Sequence, residues 1–157
     1  MRRIITLVVL MGFLVVVCIS CGKKEVLVVT GEHYEMSFHL PARWENRLDE
    51  WDEWLLPPEG QRFVRVYIVE RSVSEDPIAL LWDDYVLNYT LDGTERYTTT
   101  LAATGNNDIY MRATDFDYGG VTDEDGYGVR YVFVVPKDAR DFVLEITSMP
   151  AVPLTVR

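Results

Sequence analysis

The chain predicts an α+β domain behind an N-terminal targeting segment: a mostly antiparallel sheet of about six to seven strands with one main helix over about 77–91 and a shorter, Trp-rich helix over about 44–55. Three observations carry this. Runs of alternating apolar and polar residues recur between short turn signals, the mark of half-buried strands joined as neighbours. The stretch 77–91 opens after Ser74-Glu75-Asp76-Pro77, an N-cap region with proline in the first turn, and stops at Asp92-Gly93 as a helix would. Trp44, Leu48, Trp51 and Leu55 recur at i, i+4, i+7 and i+11, the period of one helical stripe.

The targeting segment comes first. Arg2 and Arg3 supply a positive start, and Ile4 to Ile19 is apolar except for Thr6 and Gly12. That run falls short of the roughly 20 residues a spanning helix needs and suits a signal h-region. It ends in Cys18-Ile19-Ser20-Cys21, which resembles the lipobox of a bacterial lipoprotein precursor, with a small residue, Ser20, immediately before the cysteine. The resemblance implies that residues 1–20 are a signal peptide, that Cys21 carries a covalent lipid, and that residues 21–25 are a short tether on the extracytoplasmic side of a cell membrane. One position departs from the pattern: Cys18 stands where an aliphatic residue is usual. Modification at Cys18 instead would place the bulkier Val17 before it. An uncleaved signal anchor and a simple secretory signal stay open as alternatives. Lys23 and Lys24 favour a membrane-surface position, at on the order of 1 kcal/mol per basic residue near anionic lipid.

Residues 26–157 are the size of one domain, large enough to bury about two-thirds of the unfolded surface. No cysteine follows Cys21, so with lipid on Cys21 the fold stands on packing without a disulfide. Fifteen basic against 25 acidic side chains give a net charge of −10, and loss of Arg2 and Arg3 makes the balance more negative. No cluster of Lys or Arg stands out along the sequence. Both facts disfavour a nucleic-acid partner, which needs a basic face. The acidic surplus suits solubility, a cationic ligand or a basic partner surface.

In chain order, Val26 to Val29 reads as a strand turned at Thr30-Gly31. The next run alternates, with Tyr34, Met36, Phe38 and Leu40 opposed to His33, Glu35, Ser37 and His39. Pro41 is expected to end it, since proline cannot donate to a ladder. Pro57-Pro58-Glu59-Gly60 closes the Trp-rich stretch, and Phe63 to Val69 alternates again. In the main helix, Leu81, Tyr85 and Asn88 fall on one line. Beyond it the pattern is all strand: Tyr97 to Ala103, Ile109 to Phe116, Tyr127 to Val135 and Phe142 to Thr147.

The steps SFHLPARW, LLWDDYVLNYTLDG and YVFVVPKDARDFVLEITSM together resemble the PsbP-like family, over roughly residues 33–148. The resemblance implies an α/β/α sandwich and, because the family shares no active site, a binding or scaffolding role. Members close with a C-terminal helix, which Pro150 and Pro153 oppose here, so one face of the sheet is expected to be left under-covered.

Candidate chemistry is sparse. His33, Glu35 and His39 share a strand face, but the histidines stand about 20 Å apart on extended chain, too far for one metal. The loop DFDYGGVTDEDGYG gathers Asp115, Asp117, Asp123 and Asp125 among glycines, the oxygen chemistry of a weak Ca²⁺ site, although the bidentate glutamate of the EF-hand pattern is missing. Trp54 sits off the Trp44/Trp51 stripe and is expected on an interaction surface, whereas Trp82 and Tyr85 are expected in the core. No nucleophile and base combination is present, so no catalytic residue is assigned. The function expected is that of a membrane-anchored, non-enzymatic binding or accessory module of a cell-envelope complex. It has a protein partner, no nucleic acid and no cofactor beyond the lipid on Cys21; the alternative is a small-ligand or Ca²⁺-binding lipoprotein.

Overall fold

A computed structural model describes residues 5–9, 13–17, 25–50, 53–75, 78–106, 109–112 and 127–157. Among these the protein is all-β, with no α-helix and one 3₁₀ turn at Trp82–Asp84. The strands are β1 (Ile5–Val9), β2 (Phe13–Val17), β3 (Glu25–Thr30), β4 (Tyr34–Glu45), β5 (Leu48–Glu50), β6 (Glu53–Leu55) and β7 (Gln61–Ser72). They continue as β8 (Tyr85–Thr90), β9 (Arg96–Asn106), β10 (Ile109–Arg112), β11 (Tyr127–Pro136), β12 (Arg140–Ile146) and β13 (Val152–Leu154).

Eight strands form one antiparallel curled sheet, a half-barrel in the order β3-β4-β7-β11-β9-β8-β12-β13. The β1–β2 hairpin continues it beyond β3, β10 folds back on β9, and β5 and β6 pair only with each other. At one end of the curl, here the near end, β3 begins and the C-terminal tail lies; at the far end sit the β3–β4 turn and the segment 73–84. The tail laces the curl at the near end. Ala42 N donates to Thr155 O at 2.8 Å, Trp44 N to Arg157 O at 3.0 Å, and Arg157 N to Ala42 O at 2.9 Å.

Neither expected helix is present among the described residues: 44–55 holds the end of β4 with β5 and β6, and 77–91 holds an irregular stretch, one 3₁₀ turn and β8. The α+β class and the PsbP-like sandwich are therefore wrong for this chain. Along β8 the side chains that enter the main core are Tyr85, Leu87 and Tyr89, at period two, and β8 is hydrogen-bonded on both sides by β9 and β12. Aromatic and β-branched residues suit that half-buried pleat better than a helix. The Leu81/Tyr85/Asn88 line was a coincidence of spacing. Over 44–55 a hairpin replaces the helix, and Leu48 faces Leu55 directly across it. Antiparallel pairing of β5 with β6 thus puts positions seven apart side by side, as two helical turns do. Leu48 and Leu55 pack outside the sheet on Phe63, Ala103 and Val132, which forms a small second core.

Two smaller expectations also fail. β4 runs through Pro41, which falls inside the register shift between His39 and Arg43, the irregular place where a strand tolerates a residue without a donor. The tail PAVPLTVR, expected to leave a sheet face under-covered, joins the sheet instead. It supplies β13, whose Val152 and Leu154 are buried and whose Pro153 points outward from a strand paired on one side only. The remaining expected strands are present as β3, β7, β9, β10, β11 and β12.

The inner face is filled by the side chains of the curl itself. Met36, Phe38, Val64, Val66, Ile68, Tyr131, Phe133 and Leu144 are fully buried there, on alternate positions of neighbouring strands. A single aliphatic or aromatic side chain so buried contributes about 1.5–3 kcal/mol.

Candidate functional site

Among the described residues, the apolar interior holds one acidic group. Glu70 is 1% exposed, and its Oε1 accepts hydrogen bonds from Tyr85 Oη at 2.8 Å and Tyr131 Oη at 2.5 Å. The two hydroxyls are 3.1 Å apart, and their rings stack with centroids at 4.5 Å. Tyr34, also buried, donates to the carbonyl of Ile78. Burial raises the Tyr34 phenol above its ordinary value, and the Glu70 carboxylate adds to the rise. This cluster joins β4, β7, β8 and β11 and fixes the segment that follows β7.

That segment carries the first candidate surface. Val73, Ile78, Leu81 and Trp82 are 45%, 39%, 45% and 39% exposed, four large apolar side chains within ten positions. Among the described residues, the backbone beneath them is held at several points. Val73 N donates to His33 O at 2.9 Å, Tyr34 binds Ile78 O, Leu80 is a buried plug, and Asp84 O accepts from Thr147 N at 3.1 Å. Asp84 also closes its own turn: its Oδ2 accepts from Leu81 N at 2.7 Å, and its N donates to Leu81 O at 3.0 Å. Glu75 and Asp83 stand exposed on either side. The strip is therefore displayed on a fixed backbone at the far end, with an acidic rim.

The second candidate surface is a cleft of about 440 Å³ on the outer face of β4, β7 and β11. Its lining includes His39 and Arg43 from β4, Arg65 and Tyr67 from β7, and Arg130 from β11. The pleat brings them together, since outward positions alternate along each strand. Arg43 lies opposite Arg65 in the ladder, and Arg130 opposite Tyr67. Glu45 holds Arg65 in an ion pair of 2.7 Å from outside the lining, which among the described residues contains no carboxylate. Tyr67 packs edge-on against His39, centroids 4.8 Å apart. Its ring reaches across Gly128, where an added Cβ would stand 2.1 Å from the hydroxyl, so only glycine leaves room for it.

At the near end, the Arg62 guanidinium stacks over Trp44 at 3.1 Å from the ring centroid. Burial lowers the Arg62 pKa, partly offset by Asp138. The cation covers the aromatic ring where the tail closes the curl.

The residues singled out in the sequence are distributed differently. Cys21 lies outside the described residues, as do Asp115, Asp117, Asp123 and Asp125 with the loop of the Ca²⁺ reading. Trp54 is in β6 opposite Asp49, with its side chain outside the described residues. Trp82, expected in the core, is exposed instead. Glu35 pairs with Arg71 at 2.6 Å, and the His39 ring packs against Tyr67. Among the described residues no group of three or more His, Cys, Asp or Glu is arranged around a common metal position. No helix among them is long and apolar enough to cross a membrane.

The arginine cleft escaped the sequence because its members stand at 43, 65 and 130, far apart in the chain. The outward phase of three strands was the signal that could have found it, once their pairing was known. No protein-family model, no curated protein and no solved structure matches the chain, so function is argued from this geometry.

Proposed function

We propose that the protein is a lipid-tethered, non-enzymatic binding module on the extracytoplasmic side of a membrane, an accessory subunit that docks a protein partner through its far end. The observation that carries this is the strip of Val73, Ile78, Leu81 and Trp82, exposed on a backbone held by Tyr34, Leu80 and Asp84. Apolar side chains kept in water on a fixed frame mark a contact surface, because ordering costs have been met before the partner arrives. Tryptophan at the centre of such a patch is the usual energetic anchor. The acidic rim of Glu75 and Asp83 suits a partner whose apolar patch is bordered by Lys or Arg.

The tether fits the same orientation. Gly22, Lys23 and Lys24 separate Cys21 from Glu25, the first residue of β3, and β3 begins at the near end. A lipid on Cys21 holds the near end within about 13 Å of the bilayer by chain length alone, and the strip then points away from it. A photo-reactive residue at position 82, placed in the full chain in its native membrane, is expected to give one discrete adduct. The same group at Leu56, exposed at the near end, is expected to give none of that species. Equal adducts from both positions, or none from position 82, would contradict the proposal.

A further inference from the structure

We infer that the outer edge of β3 docks an extended, apolar, β-branched strand of a partner protein, laid antiparallel to β3 once residues 1–20 have been removed. That removal is the processing at Cys21 proposed above, on which this step rests, and the edge adds a second contact to the far-end strip. Three observations converge on it. The first is hydrogen-bond phase. Gly31 N donates to Tyr34 O at 2.8 Å, and the ladder of β3 on β4 runs from Thr30 opposite Glu35 to Glu25 opposite Leu40. Bonded pairs alternate along an antiparallel ladder, so Glu25, Leu27 and Val29 turn their backbone groups toward β4, and Val26, Val28 and Thr30 turn theirs to the outer edge. Val29 is buried and Leu27 packs on the core, which fixes the strand from inside.

The second is the strand that covers this edge. β2 lies antiparallel along it, with Val16 opposite Val28 and Val17 opposite Leu27. The cover is Phe13-Leu14-Val15-Val16-Val17, all of it within residues 1–20. Processing at Cys21 takes it away and opens the outward N–H and C=O groups of β3 to another strand.

The third is the contrast between the two ends of the eight-stranded sheet. Exposed edges are blunted by proline, charge, bulges or shortness. β13 has three residues with Pro153 among them, and the tail beyond it closes onto β4. β3 has six residues with Val26-Leu27-Val28-Val29 at its centre, no proline and no register shift against β4. On such an edge main-chain bonds supply affinity and alternate side chains supply specificity. The edge also ends at the β3–β4 turn, where His33 O accepts from Val73 N of the partner strip, so one partner can hold both surfaces. A second copy fits badly. Antiparallel pairing of two β3 strands would set their near ends roughly 20 Å apart in height, beyond the reach of the short tether to one bilayer.

The probe is a labelled synthetic peptide with Phe13–Val17 between flanking lysines, titrated into the processed chain in non-ionic detergent. Saturable binding is expected. It should weaken at least tenfold for the equally apolar peptide carrying Val16→Pro, which separates edge pairing from uptake into micelles. The same loss is expected in Val28→Pro, which removes an outward N–H and spares the β4 ladder; Val26→Pro covers the case in which that variant folds poorly. Full-length Cys21→Ser, which keeps residues 1–20, should also bind at least tenfold more weakly, because its own β2 holds the edge. Amide exchange supplies a signature that general stabilisation would not: the peptide slows Val26, Val28 and Thr30 and leaves Leu27 and Val29 unchanged. No saturable binding, equal binding of the Val16→Pro peptide, or slowing of all five amides alike overturns the inference. A processed chain that sediments as a dimer, and returns to monomer in Val28→Pro, assigns the edge to a second copy and overturns the partner strand. Intact mass reports on processing separately: a chain that keeps residues 1–20 contradicts the tethered reading, and a specific-protease site inserted between Ser20 and Glu25 then frees the edge for the same titration.

Discussion

Removing the tyrosine hydroxyls around Glu70 is the sharpest perturbation of the scaffold. Glu70 is buried in the inner face, and Tyr85 and Tyr131 each donate to the same carboxylate oxygen. Tyr85→Phe or Tyr131→Phe alone leaves one of those donors in place, and a hydrogen bond to a charged group is worth about 1.5–3 kcal/mol. The double variant takes both hydroxyls from a buried carboxylate, at about 1.5–3 kcal/mol for each hydrogen bond to a charged group. Because both act on one oxygen, the double is expected to differ from the sum of the singles. Denaturant unfolding followed by tryptophan fluorescence measures all three. A double variant within about 1 kcal/mol of wild type would refute the assignment of these hydroxyls as the groups that keep Glu70 inside.

Three further outcomes follow from named contacts. Tyr34 and Tyr89 have phenol pKa values raised by burial, above the ordinary 10.0. A raised folded value means that stability is fully present below pH 10.0 and is lost as pH climbs through the folded values, so alkaline titration of the melting temperature should show a fall that Tyr34→Phe reduces. Deleting residues 155–157 removes the three backbone hydrogen bonds to Ala42 and Trp44. At about 0.5–1.5 kcal/mol each, the loss is about 1.5–4.5 kcal/mol in unfolding free energy, and an unchanged denaturation midpoint would show that the tail does not lace the curl. Gly128→Ala drives a methyl into the Tyr67 ring. Overpacking of this kind costs about 1–3 kcal/mol, and Tyr67→Ala in the same chain should recover most of it in a thermal melt.

The parts of this fold that depend on local period were legible, and those that depend on what lies opposite were not. Tyr34, Met36, Phe38 and Leu40 alternate in the sequence and alternate into the core. Leu48 and Leu55 could not be read, because their seven-residue spacing is satisfied equally by two helical turns and by a hairpin. Asp76 and Pro77 look like a helix start, yet the turn they precede is a single 3₁₀ turn that ends on Tyr85, after which tertiary pairing with β9 and β12 takes over. The preference of YVLNYT for the pleat was a local signal that end-caps outweighed. Helical spacing points Trp82 inward, and on the 3₁₀ turn that replaces the helix its side chain is exposed.

The cleft shows the same limit at the level of chemistry. Arg43, Arg65 and Arg130 form no basic run, and the acidic total hid them. Their meeting is set by the register of β4 on β7 and of β7 on β11, which no one of those segments encodes by itself. The far-end strip was half visible, since Ile78 to Trp82 is apolar in sequence. What could not be read was that Leu80 and Tyr34 hold it in place while its neighbours stay in water.

In the proposed orientation, which end faces outward depends on a lipid at Cys21. Metabolic labelling with a tagged fatty acid, followed by intact mass of the N-terminal peptide, tests this directly. The prediction is a labelled mature chain that begins at Cys21, with label and processing both lost in Cys21→Ser. An unlabelled chain that still carries residues 1–20, or label that persists in Cys21→Ser and disappears in Cys18→Ser, would contradict the tethered orientation on which the proposed function rests.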